Sequence, residues 1–254
     1  MTDLITVENL TCAYDSEDVL KEISLHVREK DVIFLMGNNG SGKTTLLNCL
    51  LNNLFIKQGN IYYEGRNVNI ISKEQFAKLV AFVPQNFNTA CEFKVKDYLV
   101  LGRNPYIRLG NPKKADYLIV EKYAVQTGIK DILNKPFNSL SGGQKQWVTI
   151  TKAMIQETKI MIMDEPMSAL DFGKQGELLL LLYELNKQGK TIVLTSHNPN
   201  HCFCIPEAKV CMIDAGIIQA FGTPKSIFNE EMIRRIYGKN VCLDRNGKID
   251  FCLR

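Results

Sequence analysis

The feature that most constrains the fold of this 254-residue chain is a glycine-rich segment, residues 37–45, with the sequence Gly-Asn-Asn-Gly-Ser-Gly-Lys-Thr-Thr. A short apolar run, Val32–Met36, precedes it, and a largely apolar stretch with helical character, residues 46–51, follows it. A strand, a glycine-rich turn and a helix with the spacing G-x-x-x-x-G-K-S/T are typical of a phosphate-binding loop. Glycines let several backbone N–H groups face one anion, and the helix N-terminus adds positive potential. The sequence therefore predicts that the chain binds a nucleotide.

Two side chains of this segment are expected to carry most of its chemistry. Lys43 is expected to reach the β- and γ-phosphates, and the Thr44 hydroxyl is expected to ligate Mg²⁺. The other residues of the loop that are predicted to bind the nucleotide are Gly37, Asn38, Asn39, Gly40, Ser41, Gly42 and Thr45.

Composition argues against several other classes of protein. The 31 basic and 27 acidic residues give a net charge of only +4, without a basic run, so no nucleic-acid partner is expected. The longest apolar stretch, residues 178–183, is far shorter than the roughly 18 residues that a membrane span needs. The chain opens without the segments of a signal peptide, and its eight cysteines are scattered. We therefore expect a cytosolic protein with buried, reduced thiols.

The order of the predicted elements indicates an α/β fold with a helical insertion. Apolar alternation over residues 4–28 predicts a small antiparallel sheet, and the apolar runs at 160–163 and 191–194 are typical of buried parallel strands. Residues 1–88 and 158–230 are predicted to form the core of a single domain. Residues 89–157 are predicted to form an inserted α-helical subdomain, and residues 231–254 a short C-terminal extension.

Two further motifs narrow the prediction from nucleotide binding to one family. Residues 140–144 read Leu-Ser-Gly-Gly-Gln and stand before an apolar-periodic helix, and residues 163–166 read Met-Asp-Glu-Pro after a buried strand. A Ser-Gly-Gly turn at a helix N-terminus is a second anion site. The phosphate loop, this turn and this strand, in this order, resemble the ATP-binding cassette (ABC) ATPases over residues 4 to about 230. The resemblance implies an active ATPase with a P-loop core, a small antiparallel β subdomain and an inserted α-helical subdomain.

The resemblance also assigns roles to four side chains that follow predicted strands. Asp164 corresponds to the carboxylate that holds Mg²⁺ directly or through water, and Gln85 to the glutamine that senses metal and water. Glu165 resembles the general base, a role worth on the order of 10²–10⁴ in rate. His197 resembles the switch histidine that contacts the γ-phosphate, whereas His26 and His201 are interpreted as structural.

Further roles concern the adenine and the contact between subunits. Tyr14, predicted to lie on a loop, resembles the aromatic residue that stacks on adenine. Asp171 resembles the residue that shapes the subunit contact near the attacking water. In this family the signature turn of one subunit closes on the phosphate loop of another, so a two-fold homodimer with two composite ATP sites is implied. The signature residues expected to bind ATP are Ser141, Gly142, Gly143 and Gln144.

The chain departs from the family pattern at three places. Lys43 is followed by Thr-Thr rather than Ser-Thr, which preserves the hydroxyl. Asn38 stands where proline is common, which is expected to be harmless because no side chain is needed there. Trp147 occupies a place often held by arginine, and we expect it to pack against the helical subdomain without abolishing hydrolysis.

The resemblance implies an assembly as well as an activity. Transport would require two copies of a separate polytopic permease, with an extracytoplasmic substrate-binding protein that delivers the cargo, and the ATPase would sit at the cytoplasmic side of the membrane. Residues 101–106, Leu-Gly-Arg-Asn-Pro-Tyr, are similar to a motif in importers of iron–siderophores, haem, cobalamin and related metal complexes. Residues 196–201, Ser-His-Asn-Pro-Asn-His, also resemble that group, including its molybdate-type members.

One alternative stays open at this point. A soluble ABC ATPase without a permease, such as the iron–sulfur assembly type, would carry the same motifs. Repair-type and translation-type members would instead carry long coiled coils or a second cassette, which this sequence lacks. A P-loop kinase or GTPase would have neither the Leu-Ser-Gly-Gly-Gln turn nor the switch histidine.

Overall fold

The computed structural model describes residues 3–14, 17–85, 93–107, 110–244 and 247–252. The chain divides into two compact units, one formed by Met1–Ile71 with Leu179–Arg254 and the other by Ser72–Leu178. The predicted helical subdomain, residues 89–157, falls within the second unit. Within the described ranges, no helix is both long enough and apolar enough to cross a bilayer.

The secondary structure alternates between strands and helices, as the sequence predicts. The first part of the chain contains β1 (Asp3–Tyr14), β2 (Glu17–Arg28), β3 (Val32–Met36), α1 (Lys43–Leu50), β4 (Gln58–Tyr63) and β5 (Arg66–Asn67). The second unit contains α2 (Lys73–Leu79), β6 (Val80–Val83), α3 (Val95–Val100), α4 (Lys114–Gln126), α5 (Gly142–Ile155) and β7 (Ile160–Met163). The remaining elements are α6 (Phe172–Lys187), β8 (Thr191–Thr195), β9 (Lys209–Asp214), β10 (Ile217–Gly222), α7 (Pro224–Ile227), α8 (Glu230–Tyr237), β11 (Val241–Leu243) and β12 (Ile249–Phe251).

An antiparallel sheet in the order β2-β1-β4-β5 forms one layer of the first unit. Along β2, Leu20, Ile23, Leu25 and Val27 are buried while residues between them are exposed. This alternation is the pattern of a strand with one face on the core, and it confirms the predicted small sheet. Tyr14 is the last residue of β1 rather than a loop residue, and its side chain lies outside the described part of the structure.

The other layer of the first unit is a mostly parallel group of strands centred on β3. Strand β3 pairs in parallel with β8 on one side and β9 on the other, and β10 adds an antiparallel edge to β9. All five residues of β3 and all five of β8 are buried, which is why these segments read as apolar runs rather than alternating ones. The glycine-rich loop begins directly at the carboxyl end of the buried strand β3.

The second unit combines a parallel strand pair with packed helices. Strands β6 and β7 pair in parallel, and the Asp164 backbone N–H donates to the Val83 carbonyl at 2.8 Å just past the pairing. The two strands therefore end side by side. Among the helices, the Tyr98 ring stacks on Phe137 with centroids 4.5 Å apart. Helices α3 and α4 agree with the helical character predicted for this region, and the mixed α/β fold is confirmed.

The C-terminal extension contains an element that the sequence did not suggest. Residues 241–251 form a two-stranded antiparallel hairpin, β11–β12, in which Cys242 and Cys252 are joined by a disulfide. The prediction of buried, reduced thiols is therefore wrong for this pair, and Cys204 is free but exposed. The pairing was not readable from the sequence because each strand is only three residues long, which is too short for an apolar pattern to identify a strand.

The loop that resembles a metal-chelate importer motif is built around a nearly buried arginine. Arg103 donates from Nη1 to the Ile155 carbonyl at 3.0 Å and to the Glu157 carboxylate at 2.8 Å, and its Nε lies 3.5 Å from Asp116. Its guanidinium also lies over the Tyr106 ring, 4.1 Å from the centroid. The motif thus ties the loop to the end of α5 and the start of α4, which is a structural role.

We predict that Arg103→Ala lowers the free energy of unfolding by about 3 kcal/mol, because it leaves Glu157 and Asp116 without their shared, largely buried partner. Urea denaturation of the purified chain measures the change. Arg66→Ala is the matched control, because Arg66 is half-exposed and its ion pair with Glu64 is long, at 3.7 Å. This substitution should lower the free energy of unfolding by less than about 1 kcal/mol. Equal losses for the two variants would contradict the structural role.

Candidate functional site

The glycine-rich loop adopts a conformation that only glycine permits at two positions. Gly37 has φ 144°, and an added Cβ would lie 1.9 Å from the Ile213 carbonyl oxygen. Gly42 has φ 106°, and an added Cβ would lie 2.7 Å from the Leu20 side chain. Left-handed backbone and lack of space both exclude larger residues. The loop therefore returns tightly from the end of β3 into α1.

The polar groups of this loop are arranged for an anion. Gly42 occupies the N-cap position of α1 and has no side chain that could accept a hydrogen bond from the helix, and the first turn carries no acidic residue. The Ser41 hydroxyl is buried and has no hydrogen-bond partner among the described residues, although most buried polar groups have one. The buried Lys43 side chain folds over the loop, and its Nζ donates to the carbonyls of Gly37 and Asn38 at 2.8 and 2.7 Å. A helix N-terminus with these donors fits a polyphosphate.

The remaining residues of the loop differ in exposure. Asn38, Asn39 and Gly40 face solvent, so their contribution to a ligand would come from backbone N–H groups. Thr44 is exposed in the first turn of α1, whereas Thr45 is buried. The exposed Thr44 hydroxyl is the group of this turn that a magnesium ion would use.

A second cluster lies at the ends of β6 and β7. Gln85 Nε2 donates to Glu165 Oε2 at 2.8 Å, so the predicted metal-sensing glutamine touches the predicted general base. Asp164 is buried at the end of β7, and Glu165 follows it half-buried. The sequence predicts both roles, and the structure adds that Gln85 and Glu165 form one hydrogen-bonded pair. The substitution of either residue would therefore alter the other.

Glu165 is also held in an unusual backbone conformation. Its φ is 46°, in the left-handed region that residues other than glycine seldom occupy. The carbonyl of Glu165 accepts hydrogen bonds from the Ser168 backbone N–H at 3.1 Å and from the Ser168 hydroxyl at 3.0 Å. Such strain costs of the order of 1–3 kcal/mol and persists only where the surroundings enforce it, often at functional sites.

The signature turn forms the exposed N-terminus of α5. Ser141 Oγ accepts from the Gln144 N–H, and Gln144 Oε1 accepts from the Ser141 N–H at 3.1 Å, which is a capping box. Gly142 and Gly143 lie against Ala169, where an added Cβ would lie 3.8 Å from the Ala169 side chain and 3.4 Å from its carbonyl oxygen. Ser141, Gly142 and Gln144 are nevertheless exposed, so the helix end is open to solvent.

A cavity of about 370 Å³ lies in front of this turn. Asp171 faces it, and one oxygen of its carboxylate caps α6 by accepting from the Lys174 N–H at 2.9 Å. Trp147 is buried against the same cavity, and within the described part of the chain its indole N–H has no hydrogen-bond partner. The other residues around the cavity are Ser141, Gly143, Gln144, Ala169, Leu170 and Lys174.

The predicted switch histidine follows strand β8. His197 is exposed, one residue after the buried Ser196. Ser196 Oγ bonds to His201 Nδ1 at 2.9 Å, and burial lowers the pKa of His201 below its usual value of 6.5, so its ring stays neutral near neutral pH. His201 is therefore a structural group of the loop, as predicted, and His26 Nδ1 is hydrogen-bonded to Asp3 Oδ2 at the surface, at 2.9 Å.

Comparison with known proteins places these motifs in one family. The sequence profile described as ABC transporter matches residues 20–168. The ferric enterobactin transport ATP-binding protein FepC of Escherichia coli is 32% identical over 233 residues, which cover 91% of this chain and 86% of that protein. The hemin import ATP-binding protein HmuV of Thermobifida fusca is 30% identical, with 94% of this chain and 84% of that protein covered.

Solved structures agree with this result. An ABC transporter assigned to the metal-chelate type, in an inward-facing conformation, superposes with a TM-score of 0.82 at 28% identity, with 99% of this chain and 97% of that chain covered. A dimeric bacterial ABC transporter cassette superposes with a TM-score of 0.77 at 25% identity, with 87% of this chain and 98% of that chain covered.

Proposed function

This chain belongs to the ABC transporter family and is an ATPase of that family, and from this premise we propose that it energises the import of a metal chelate such as an iron–siderophore, haem or cobalamin. The observation that carries the hydrolytic part is the pairing of Gln85 with Glu165, whose backbone is held at φ 46°. A carboxylate restrained in this way is suited to polarise one attacking water.

The phosphates of ATP would be bound by the glycine-rich loop. The backbone N–H groups of residues 38–45 and the uncapped N-terminus of α1 supply donors, and Ser41 adds a buried hydroxyl that needs a partner. Lys43 would exchange its bonds to loop carbonyls for the β- and γ-phosphates, a change of partner that a flexible ammonium group allows. Tyr14 would stack on the adenine.

Thr44, Gln85 and Asp164 are the residues that would hold Mg²⁺, which supplies charge neutralisation for the β- and γ-phosphates. A hydroxyl, an amide and a carboxylate are hard oxygen ligands of the kind that this ion prefers. Glu165 would accept a proton from water, and His197 would donate to the γ-phosphate. Because Gln85 is already bonded to Glu165, ligation by Gln85 would also reposition the base.

The signature turn would act on the ATP held by a second copy of the chain. Residues 141–144 offer an exposed, capped helix N-terminus that faces a cavity, and Asp171 borders the same cavity. We propose a two-fold homodimer in which each phosphate loop is completed by the partner's signature. ATP binding would then join the subunits, and hydrolysis would release them.

The partners follow from the role of ATP-binding subunits in importers. We propose two copies of a polytopic permease that dock on the chain, a position at the cytoplasmic side of the membrane and an extracytoplasmic substrate-binding protein. The support for a metal chelate is similarity to proteins named for ferric enterobactin and hemin transport. Arg103 and Tyr106 of the shared motif make contacts within this chain. They therefore support the proposed import of a metal chelate through sequence similarity alone, and not as residues that contact the cargo.

We predict that Glu165→Gln leaves ATP binding intact and lowers kcat for hydrolysis on the order of 10²–10⁴-fold, because the amide cannot accept a proton from water. Steady-state phosphate release and size-exclusion chromatography with ATP measure the rate and the expected trapped dimer. Glu184→Gln, at an exposed position of α6, is the control and should hydrolyse ATP normally. Normal turnover by Glu165→Gln would remove Glu165 from its proposed role.

We predict that the affinity-tagged chain, purified from detergent-solubilised membranes of its own cells, retains a polytopic membrane protein in equal amount. Mass spectrometry identifies the retained protein, and tagged Arg103→Ala, whose loop should be loosened, serves as a variant expected to retain less. Cells that carry Glu165→Gln should also lose uptake of a radiolabelled ferric chelate. If only soluble partners are retained and uptake is unchanged, the importer proposal fails.

A further inference from the structure

The C-terminal hairpin carries a cysteine pair that the proposed reaction does not use. Cys242 lies in β11 opposite Asp250, and Cys252 follows the end of β12. Their Cα atoms are 5.9 Å apart, a separation that disulfides commonly span. Both residues are half-buried, so a small thiol reagent can reach them. Accessible pairs of this kind are the ones that respond to redox conditions.

The other described cysteines are poor candidates for the same chemistry. Cys12, Cys49, Cys202 and Cys211 are buried, and burial raises the pKa of Cys202 and of Cys211 to about 12. A neutral thiol reacts slowly with disulfides because the thiolate is the nucleophile. Cys204 is exposed but unpaired, which makes it a natural control. Within the described ranges, no three His, Cys, Asp or Glu side chains come together as metal ligands.

The hairpin is connected to the loop of His197 through one asparagine. Asn200 Nδ2 donates to the Ile249 carbonyl at 2.9 Å, and the Ile249 N–H donates to Asn200 Oδ1 at 3.0 Å. Asn200 lies three residues after His197, and its own N–H is bonded to the Asn198 side chain at 3.0 Å. The side chain of Asn200 therefore holds the hairpin in the way that a neighbouring strand would.

A cavity of about 400 Å³ lies between the same two segments. His197 and Asn198 border it from the loop, and Tyr237 and Asp250 from the extension. The hairpin thus forms one wall of the space beside the proposed switch histidine. A change in the hairpin would alter the surroundings of His197 directly.

We propose that Cys242 and Cys252 form a reversible disulfide that fixes the hairpin against Asn200 and thereby sets the rate of ATP hydrolysis according to redox state. The effect on rate rests on the proposed function, whereas the disulfide itself does not. The oxidant is a low-molecular-weight disulfide such as oxidised glutathione. One cysteine thiolate attacks it and releases one thiol, and the second cysteine then displaces the other. The protein dithiol loses two electrons and two protons, and the reagent becomes two thiols.

The physical basis is the weakness of the hairpin when it is not cross-linked. Two strands of three residues are marginally stable alone, so the reduced hairpin opens more often. The disulfide closes a loop with a sequence separation of 10 and removes many of the open conformations. The oxidised hairpin should therefore keep both bonds to Asn200, and the loop of His197 should be better positioned. Small misplacements of reacting groups lower rates strongly.

The experiment compares the full chain after treatment with oxidised glutathione or with dithiothreitol. Peptide mass spectrometry should find Cys242 linked to Cys252 after oxidation, and hydrogen exchange of the Ile249 N–H should slow at least threefold. kcat for ATP hydrolysis should be at least threefold higher for the oxidised chain. Cys242→Ser should behave as the reduced chain under both conditions, and Cys204→Ser should respond as the unmodified chain does.

Asn200→Ala tests whether the disulfide changes kcat for ATP hydrolysis through the contact between Asn200 and the hairpin. This variant should still form the disulfide, but its kcat should no longer depend on redox state. Failure to link Cys242 with Cys252, or equal kcat in both states of a chain that hydrolyses ATP, would overturn the inference and leave the proposed function intact. Absence of hydrolysis in both states would instead overturn the proposed function, while the linkage and the exchange of Ile249 would still decide whether the disulfide fixes the hairpin.

Discussion

The interaction on which the rest of the structure depends is that of a concentrated negative charge with uncapped backbone N–H groups. The N-terminus of α1 has no side-chain cap and no acidic residue in its first turn, and Gly37 permits the backbone to turn where no side chain fits. This geometry needs a rigid support, because ordering a mobile loop when a ligand binds would lower the affinity. Strand β3, which is buried along its whole length between two parallel neighbours, provides that support.

In the second unit, buried strands likewise hold the side chains of a proposed site in place. Parallel strands β6 and β7 end together, which places Gln85 and Glu165 within hydrogen-bond distance. The left-handed backbone conformation of Glu165 is unfavourable by itself, and the hydrogen bonds from Ser168 help to stabilise it. A carboxylate held in this way loses adaptability but gains a defined direction, which suits the role of general base that we propose for Glu165. Catalytic groups benefit from that exchange because they act in a single geometry.

Most of the fold was predictable because its signals are local. Fully apolar runs correctly indicated β3 and β7, and the spacing of glycines around Lys43 indicated the loop. Two contacts were not predictable. The Gln85–Glu165 bond spans 80 residues, and the Cys242–Cys252 hairpin, although local, has strands too short to identify from their sequence. Helix α6 starts at Phe172, next to its capping residue Asp171, and such a start depends on side-chain geometry more than on apolar pattern.

The central claim is that one chain holds half of each catalytic site and a second copy completes it. Two inactive variants test this claim by mixing: Lys43→Ala, which disables the phosphate loop, and Gly143→Asp, whose carboxylate suits a helix N-terminus but repels phosphate. A mixed dimer would contain one site with both defects and one intact site. With equal mixing and independent sites, half of the dimers are mixed, so about a quarter of the wild-type ATPase rate should return. If the mixture stays as inactive as the separate variants, the composite site is refuted.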